Sequence, residues 1–107
     1  MSVNKVILVG KCGNDPTLRH TSNRTPVANI RLATQEPNSN EPEWHNLSFF
    51  GGKAELVGRY GVKGKTLYIE GKLRTKGRIA NGIEYRTSEV VVSEFRFLDP
   101  APTHSVG

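Results

Sequence analysis

Cysteine occurs once in this chain of 107 residues, at position 12. A lone cysteine excludes an intramolecular disulfide framework and any multi-cysteine metal site, and it fits a reducing compartment. Acidic residues are in deficit, 10 against 15 lysines and arginines. They are also scattered, without the paired carboxylates that a small metal-dependent nuclease needs. The three histidines, His20, His45 and His104, fall on separate elements with no HxH or HxxxH pair, so no metal motif, cofactor site or enzyme is read here. Cys12, between Gly10 and Gly13, reads as a small semi-buried residue rather than a nucleophile. Long apolar runs are missing as well. The opening "MSVNKVILVG" is too short and too strand-like for a signal peptide or membrane span, and it lacks the character of a transit peptide. A soluble cytoplasmic protein with one modest core is the expectation.

What is present begins with charge: a formal +5 and an isoelectric point near 9.7, a footprint expected of proteins that meet polyanions. The pattern along the chain is short strands punctuated by turn residues. Lys5 to Val9 is a β-branched run closed by Gly10 and followed by the turn signal Asn14-Asp15-Pro16. Thr17 to His20 allows a short extension. "VANIRLAT" alternates, with Ala28, Ile30 and Leu32 on one side and Asn29 and Arg31 on the other, as a half-buried second strand does. Gln35 to Pro42 is a polar loop, and "EWHNLSFF", Glu43 to Phe50, is the third strand. "GGKAELVGRY" places Ala54, Val57 and Tyr60 at helical spacing with Leu56 beside them, and Gly61 and Gly64 end that short helix. "TLYIEGKLRTKGR" is a fourth strand whose Gly71 suggests a bend or bulge. Asn81-Gly82 is a strong hairpin signal, returning the chain into a fifth strand, "EYRTSEVVV", that ends near "FRFL". The class is all-β: a five-stranded barrel with one short helix between strands three and four, the order of the OB-fold.

Alternation on the third strand puts Trp44, Asn46, Ser48 and Phe50 on one face and His45, Leu47 and Phe49 on the other. Leu47 and Phe49 read as core. A solvent-facing strand surface has no need of the only Trp and a Phe. An exposed ring is a sequence-tolerant platform for nucleic-acid bases, worth about 1 to 3 kcal/mol per base. The residues also permit packing, with Trp44 under the Gln35 to Pro42 loop and Phe50 beneath the helix. Lys72, Arg74, Lys76 and Arg78, spaced by two, project from one side of an extended hairpin arm, with Arg86 on the returning strand. Such a row can track a phosphate backbone, or it can simply protect an exposed edge. Glu70 and Glu84 dilute the row only at its base. Lys5, Lys11, Arg19, Arg31 and Lys53 are further candidate phosphate contacts.

The blocks "VNKVILVG", "NDP", "PVANIRLAT", "EWHNLSFF", "YIEGKLRT" and "TSEVVV", in this order, resemble the bacterial-type single-stranded DNA-binding proteins from Val3 to about Val92. The resemblance implies an OB barrel that assembles into a homo-oligomer, a tetramer ahead of a dimer, with single-stranded DNA wrapped over its aromatic and basic surface. Trp44 and Phe50 match aromatics on which that family stacks bases, and His45 matches a subunit contact. The apolar first strand, with Val6 and Leu8, is expected to pair across a two-fold axis. The implied role is sequence-independent binding and protection of single-stranded DNA in replication, recombination and repair, for a bacterial, plasmid or phage host. Residues 1–99 form the binding domain and 100–107 a short tail.

The chain departs from the family where many members carry further aromatics, having Asn38 in the loop and Arg78 on the arm. The long Gly/Pro/Gln-rich tail with an acidic tip is absent from "DPAPTHSVG", so recruitment of partners through such a tip is not expected. Two other binding readings compete: an OB-fold assembly module of a replication-restart complex, and a single-stranded RNA chaperone of cold-shock type. The first is opposed by Trp44 and Phe50, the second by the lack of a clustered Phe/His/Lys motif.

Overall fold

The computed structural model describes residues 1–61 and 63–99, and the expected tail at 100–107 lies outside the described residues. The chain forms β1 (Val6–Cys12), β2 (Thr17–His20), β3 (Pro26–Thr34), β4 (Glu43–Phe50), α1 (Gly52–Tyr60), β5 (Thr66–Ala80) and β6 (Ile83–Phe97). Neighbours run β1-β5-β6-β4-β3, and a short β1–β3 pairing at Lys11–Ala33 and Cys12–Leu32 closes these five strands into a ring. The five-stranded barrel with its helix after the third main strand is therefore as expected. The segment Thr17–His20 is a sixth strand, antiparallel to the outer edge of β3.

β1 runs past Gly10 to Cys12 rather than stopping at Val9. Gly10 is where it passes from β5 to β3, and a Cβ there would strike the carbonyl of Ala33. Gly71 does the same service on β5. The register against β6 shifts between Glu70 and Gly71, and a Cβ at Gly71 would meet the Val91 carbonyl oxygen. This is the expected bulge, and it bends the strand where barrel becomes arm. At the far end Asn81 and Gly82 have φ of 54° and 78°, the paired positive values of a tight hairpin turn matched to strand twist.

The core is filled by Ile30 and Leu32 from β3, Leu47 and Phe49 from β4, and Leu67 and Ile69 from β5. Phe49 meets Phe95 edge to face at 5.2 Å between centroids, and Phe95 meets Phe97 in the same way at 5.7 Å. α1 closes one end of the barrel through Ala54 and Val57. Tyr60, expected to join them, is exposed, as is Leu56. The helix ends directly after Tyr60 at Gly61, so that ring has passed beyond the barrel mouth and lies instead beside Arg59.

The first strand also corrects an expectation. Val6 and Leu8, assigned to a subunit contact, lean on the core, and it is Ile7 (58% exposed) and Val9 (52%) that point outward. β1 pairs with β5 from Val6 to Lys11 and with β3 only at Lys11 and Cys12, so its other edge at residues 6–10 has no strand partner among the described residues. No helix among them is long and apolar enough to cross a membrane.

Gly71→Ala tests the bend. Forcing a methyl against the Val91 backbone should cost about 1–3 kcal/mol, as overpacking of a filled interior does. Thermal or urea denaturation reads this directly, and an unchanged midpoint would show that the bend tolerates a side chain.

Candidate nucleic-acid interface

β4 supplies the floor of a groove whose far wall is the β5–β6 arm. The alternation on β4 is as expected, with Leu47 and Phe49 in the core and Trp44 on the opposite face, 43% exposed. That face is open to solvent at Asn46 but not at Ser48, however. Ser48 is only 1% exposed, flanked by β3 on one side and on the other by β6, which runs parallel to β4 at Leu47–Val90 and Ser48–Val91.

A hydroxyl buried there needs partners, and it has them on both sides. Ser48 Oγ donates to the carboxylate of Glu89, which is itself almost fully buried. Glu89 accepts in turn from the Arg74 guanidinium, with Nε at 2.8 Å, and pairs with Lys76 Nζ at 3.3 Å. On the other flank Asn29 Nδ2 donates to Ser48 Oγ at 3.0 Å. Arg19 Nε and Nη2 then donate to Asn29 Oδ1 at 3.3 and 3.1 Å. One chain of hydrogen bonds thus crosses the face from β2 through β3, β4 and β6 to β5. Among the described residues no buried side-chain N or O lacks a partner. Burial disfavours the charged form of Glu89, but the hydrogen bonds from Ser48 and Arg74, with the charges of Lys76 and Arg74, outweigh it and hold the carboxyl below its usual range.

The two aromatics flank this polar line. Trp44 is not covered by the Gln35 to Pro42 loop. Its ring edge is seated against Gly13, where a Cβ would collide with it, and the Arg31 guanidinium lies 4.5 Å from its centroid. The seat is fixed by the backbone: Gly13 N–H donates to the Arg31 carbonyl at 2.7 Å, and Arg31 N–H donates to Asn14 Oδ1 at 2.8 Å. Phe50 is half-buried with the Arg74 guanidinium 5.4 Å over its ring. A third pair went unread in the sequence. Tyr85, 42% exposed, lies under Arg78 at 5.4 Å on the arm. Counting outward from the two-residue turn would have found it, since Ala80 opposite Ile83 puts Arg78 opposite Tyr85.

The cationic row is only partly what its spacing suggested. Arg74, Lys76 and Arg78 share the groove-side face of the arm, each across from Glu89, Thr87 and Tyr85 respectively. Lys72, at the root, lines a different hollow with Asn4 and Lys5. Arg86 pairs in register with Gly77 rather than with a member of the row, so alternation turns it to the opposite face, and it bonds Glu84 at 3.2 Å. Glu84 is near the tip, and the acid that meets the row is Glu89. Lys5 is held by Glu70 at 2.7 Å. Lys53 lines a surface hollow with Ser93, Glu94 and Arg96, away from the groove. Lys11 is exposed on β1, in the register row that continues through Ala33 to Trp44. His45 bonds Thr34 Oγ1 at 2.8 Å and borders a hollow shared with Ile7 and Val9.

No group of three or more His, Cys, Asp or Glu among the described residues could hold a metal ion. Burial, with the nearby charge of Asp99, pushes the Cys12 thiol up to about 11, which leaves it protonated and unreactive at neutral pH.

A groove with aromatic floor positions and a cationic wall is the geometry of a single-strand binder, and the family model for single-strand binding proteins matches residues 3–98. The chain belongs to the single-strand binding protein family. That family is one of binding proteins rather than enzymes. The chain is also similar to a solved structure of the Plasmodium falciparum SSB in complex with ssDNA. The TM-score is 0.82 with 26% sequence identity, over 92% of this chain and 97% of that one.

The depressed Glu89 carboxyl fixes a sign for acid sensitivity. A group whose pKa is lower folded than unfolded stabilises the fold above its unfolded value, and that contribution is lost as pH falls through the folded value. Melting temperature should therefore drop as pH falls below the ordinary carboxylate range, and Glu89→Gln should remove part of that drop. Identical acid sensitivity in both proteins would mean that the network does not favour the ionised carboxylate.

Proposed function

We propose that this chain binds single-stranded DNA without reading its sequence and protects it during replication, recombination and repair. The observation that carries the reading is the β4 face: two partly exposed aromatic rings, each capped by a guanidinium, stand either side of a polar line, next to a groove lined by Asn29, Arg31, Asn46 and, from the arm, Lys76 and Glu89. Flat rings accept any base, and arginine planes stack on bases as readily as on rings. Trp44 and Phe50 are the stacking positions in this reading. Arg74, Lys76 and Arg78 are the main phosphate contacts, assisted by Lys72, Arg31 and Lys11. Lys5, Lys53 and Arg86 contribute less, being paired or turned away. Residues 1–99 act as one binding domain in a cytoplasmic protein.

Trp44 is the only tryptophan, so its emission reports on one position. Adding a pyrimidine-rich single strand at low salt should quench it to a plateau that added salt reverses. A duplex of the same sequence should do much less, because its bases are already stacked. Phe50→Ala should weaken binding by about 1 to 3 kcal/mol with little change in salt dependence. Unchanged emission while binding is registered by another method would remove Trp44 from the site.

The chain is also proposed to be a homo-oligomer. The unpaired edge of β1, the outward Ile7 and Val9, and His45 beside them support a symmetric contact in which this strand meets its own copy. Several weak sites on one assembly then raise each other's effective concentration. Sedimentation at micromolar protein should find a dimer or tetramer, and Ile7→Lys with Val9→Lys should shift it toward monomer. Monomer alone in the unmodified protein would rule the contact out.

A further inference from the structure

The row Arg74-Lys76-Arg78 is divided by the carboxylate it faces. Glu89 has both oxygens committed, one to the Arg74 guanidinium and the other to Ser48 and Lys76. The carboxylate is rigidly placed, since its side chain is 8% exposed while those of Arg74 and Lys76 are 43% and 46% exposed. Among the described residues Arg78 has no carboxylate partner, and it lies over Tyr85. A buried carboxylate offering two oxygens to a guanidinium and an ammonium presents what a phosphate would present to the same groups.

We propose that Glu89 is an internal competitor for the nucleic-acid phosphate at Arg74 and Lys76, so that it sets the affinity of the groove without touching the polymer. The inference rests on the single-strand-binding reading given above. In the free protein Glu89 holds Arg74 over Phe50 and neutralises part of the row. When a strand enters, Lys76, with its single longer contact, exchanges Glu89 for a phosphate more readily than Arg74, which holds the carboxylate through two N–H donors. A phosphate gained at Lys76 or Arg74 is therefore offset by an internal ion pair lost. Arg78 carries no such offset and counts in full toward the salt dependence.

The experiment is a salt titration of oligo(dT) binding by the full chain. Single-strand binding loses about 0.7 in the slope of log K against log[salt] for each phosphate contact removed. Arg78→Gln should flatten the slope by that full amount, and Lys76→Gln by clearly less. Glu89→Gln should steepen it by about 0.7 and tighten binding roughly five- to tenfold at about 50 mM salt, as one further cation becomes free. Glu89→Asp should keep the wild-type slope. A Glu89→Gln protein that binds more weakly, or with unchanged slope, would overturn the proposal. If that variant does not fold, equal flattening by Lys76→Gln and Arg78→Gln overturns it on its own. Failure of the wild-type chain to bind oligo(dT) would defeat the binding reading itself, whereas binding with equal slopes defeats only the role of Glu89.

Discussion

Gly71 is the constraint on which the binding face depends. β5 and β6 are each 15 residues long and serve two structures at once, barrel staves near the core and a free two-stranded arm beyond it. The change of role needs a bend, and the bend needs the Val91 carbonyl to come against a backbone with no side chain. Beyond that point β6 meets β4 at only two residue pairs. Where the bend falls decides that Glu89 reaches Ser48 and that Arg74 stands over Phe50.

Signals that are local in the chain were legible in the sequence. The alternation of β3 and β4, the positive-φ pair at Asn81-Gly82 and the mid-strand glycine each state their geometry within a few residues. What was not legible depended on distant pairing. Ser48 is polar by type and buried in fact, because its cover comes from a segment 41 residues away. Arg86 looked like a fifth member of the row, yet the two-residue turn sets the pairing phase and turns it to the other face. In "VILV" every residue is apolar, so the sequence holds no alternation to say which face is core. Val6 and Leu8 face inward for reasons of barrel register alone. Lys5 and Lys53 counted as cations by composition, but position took them out of the groove.

The recurring unit of the face is a guanidinium laid over an aromatic ring, at Trp44, Phe50 and Tyr85. Such a contact at an exposed site is worth about 0.5–1 kcal/mol, less than the roughly 1–3 kcal/mol of a base stacked on the same ring. A base stacking on a ring, as proposed above, would be able to displace a cap held by this contact alone. The cap also keeps flat apolar surface from standing bare, which limits unwanted self-association.

The line of hydrogen bonds beneath the arm has a further effect through its only anion, Glu89. Glu89 places a negative charge at the bottom of the groove, while Arg19, Arg31, Lys76 and Arg78 stand around it at more exposed positions. With Glu89 neutralised by Arg74 and Lys76, such a field attracts a polyanion more strongly at its rims than at its centre. A flexible strand entering it lowers its energy by turning its ionised backbone outward and its neutral, flat substituents inward. On the proposed single-strand-binding reading, the groove would favour one sidedness of the polymer before any ring is touched, and that orientation needs no recognition of sequence.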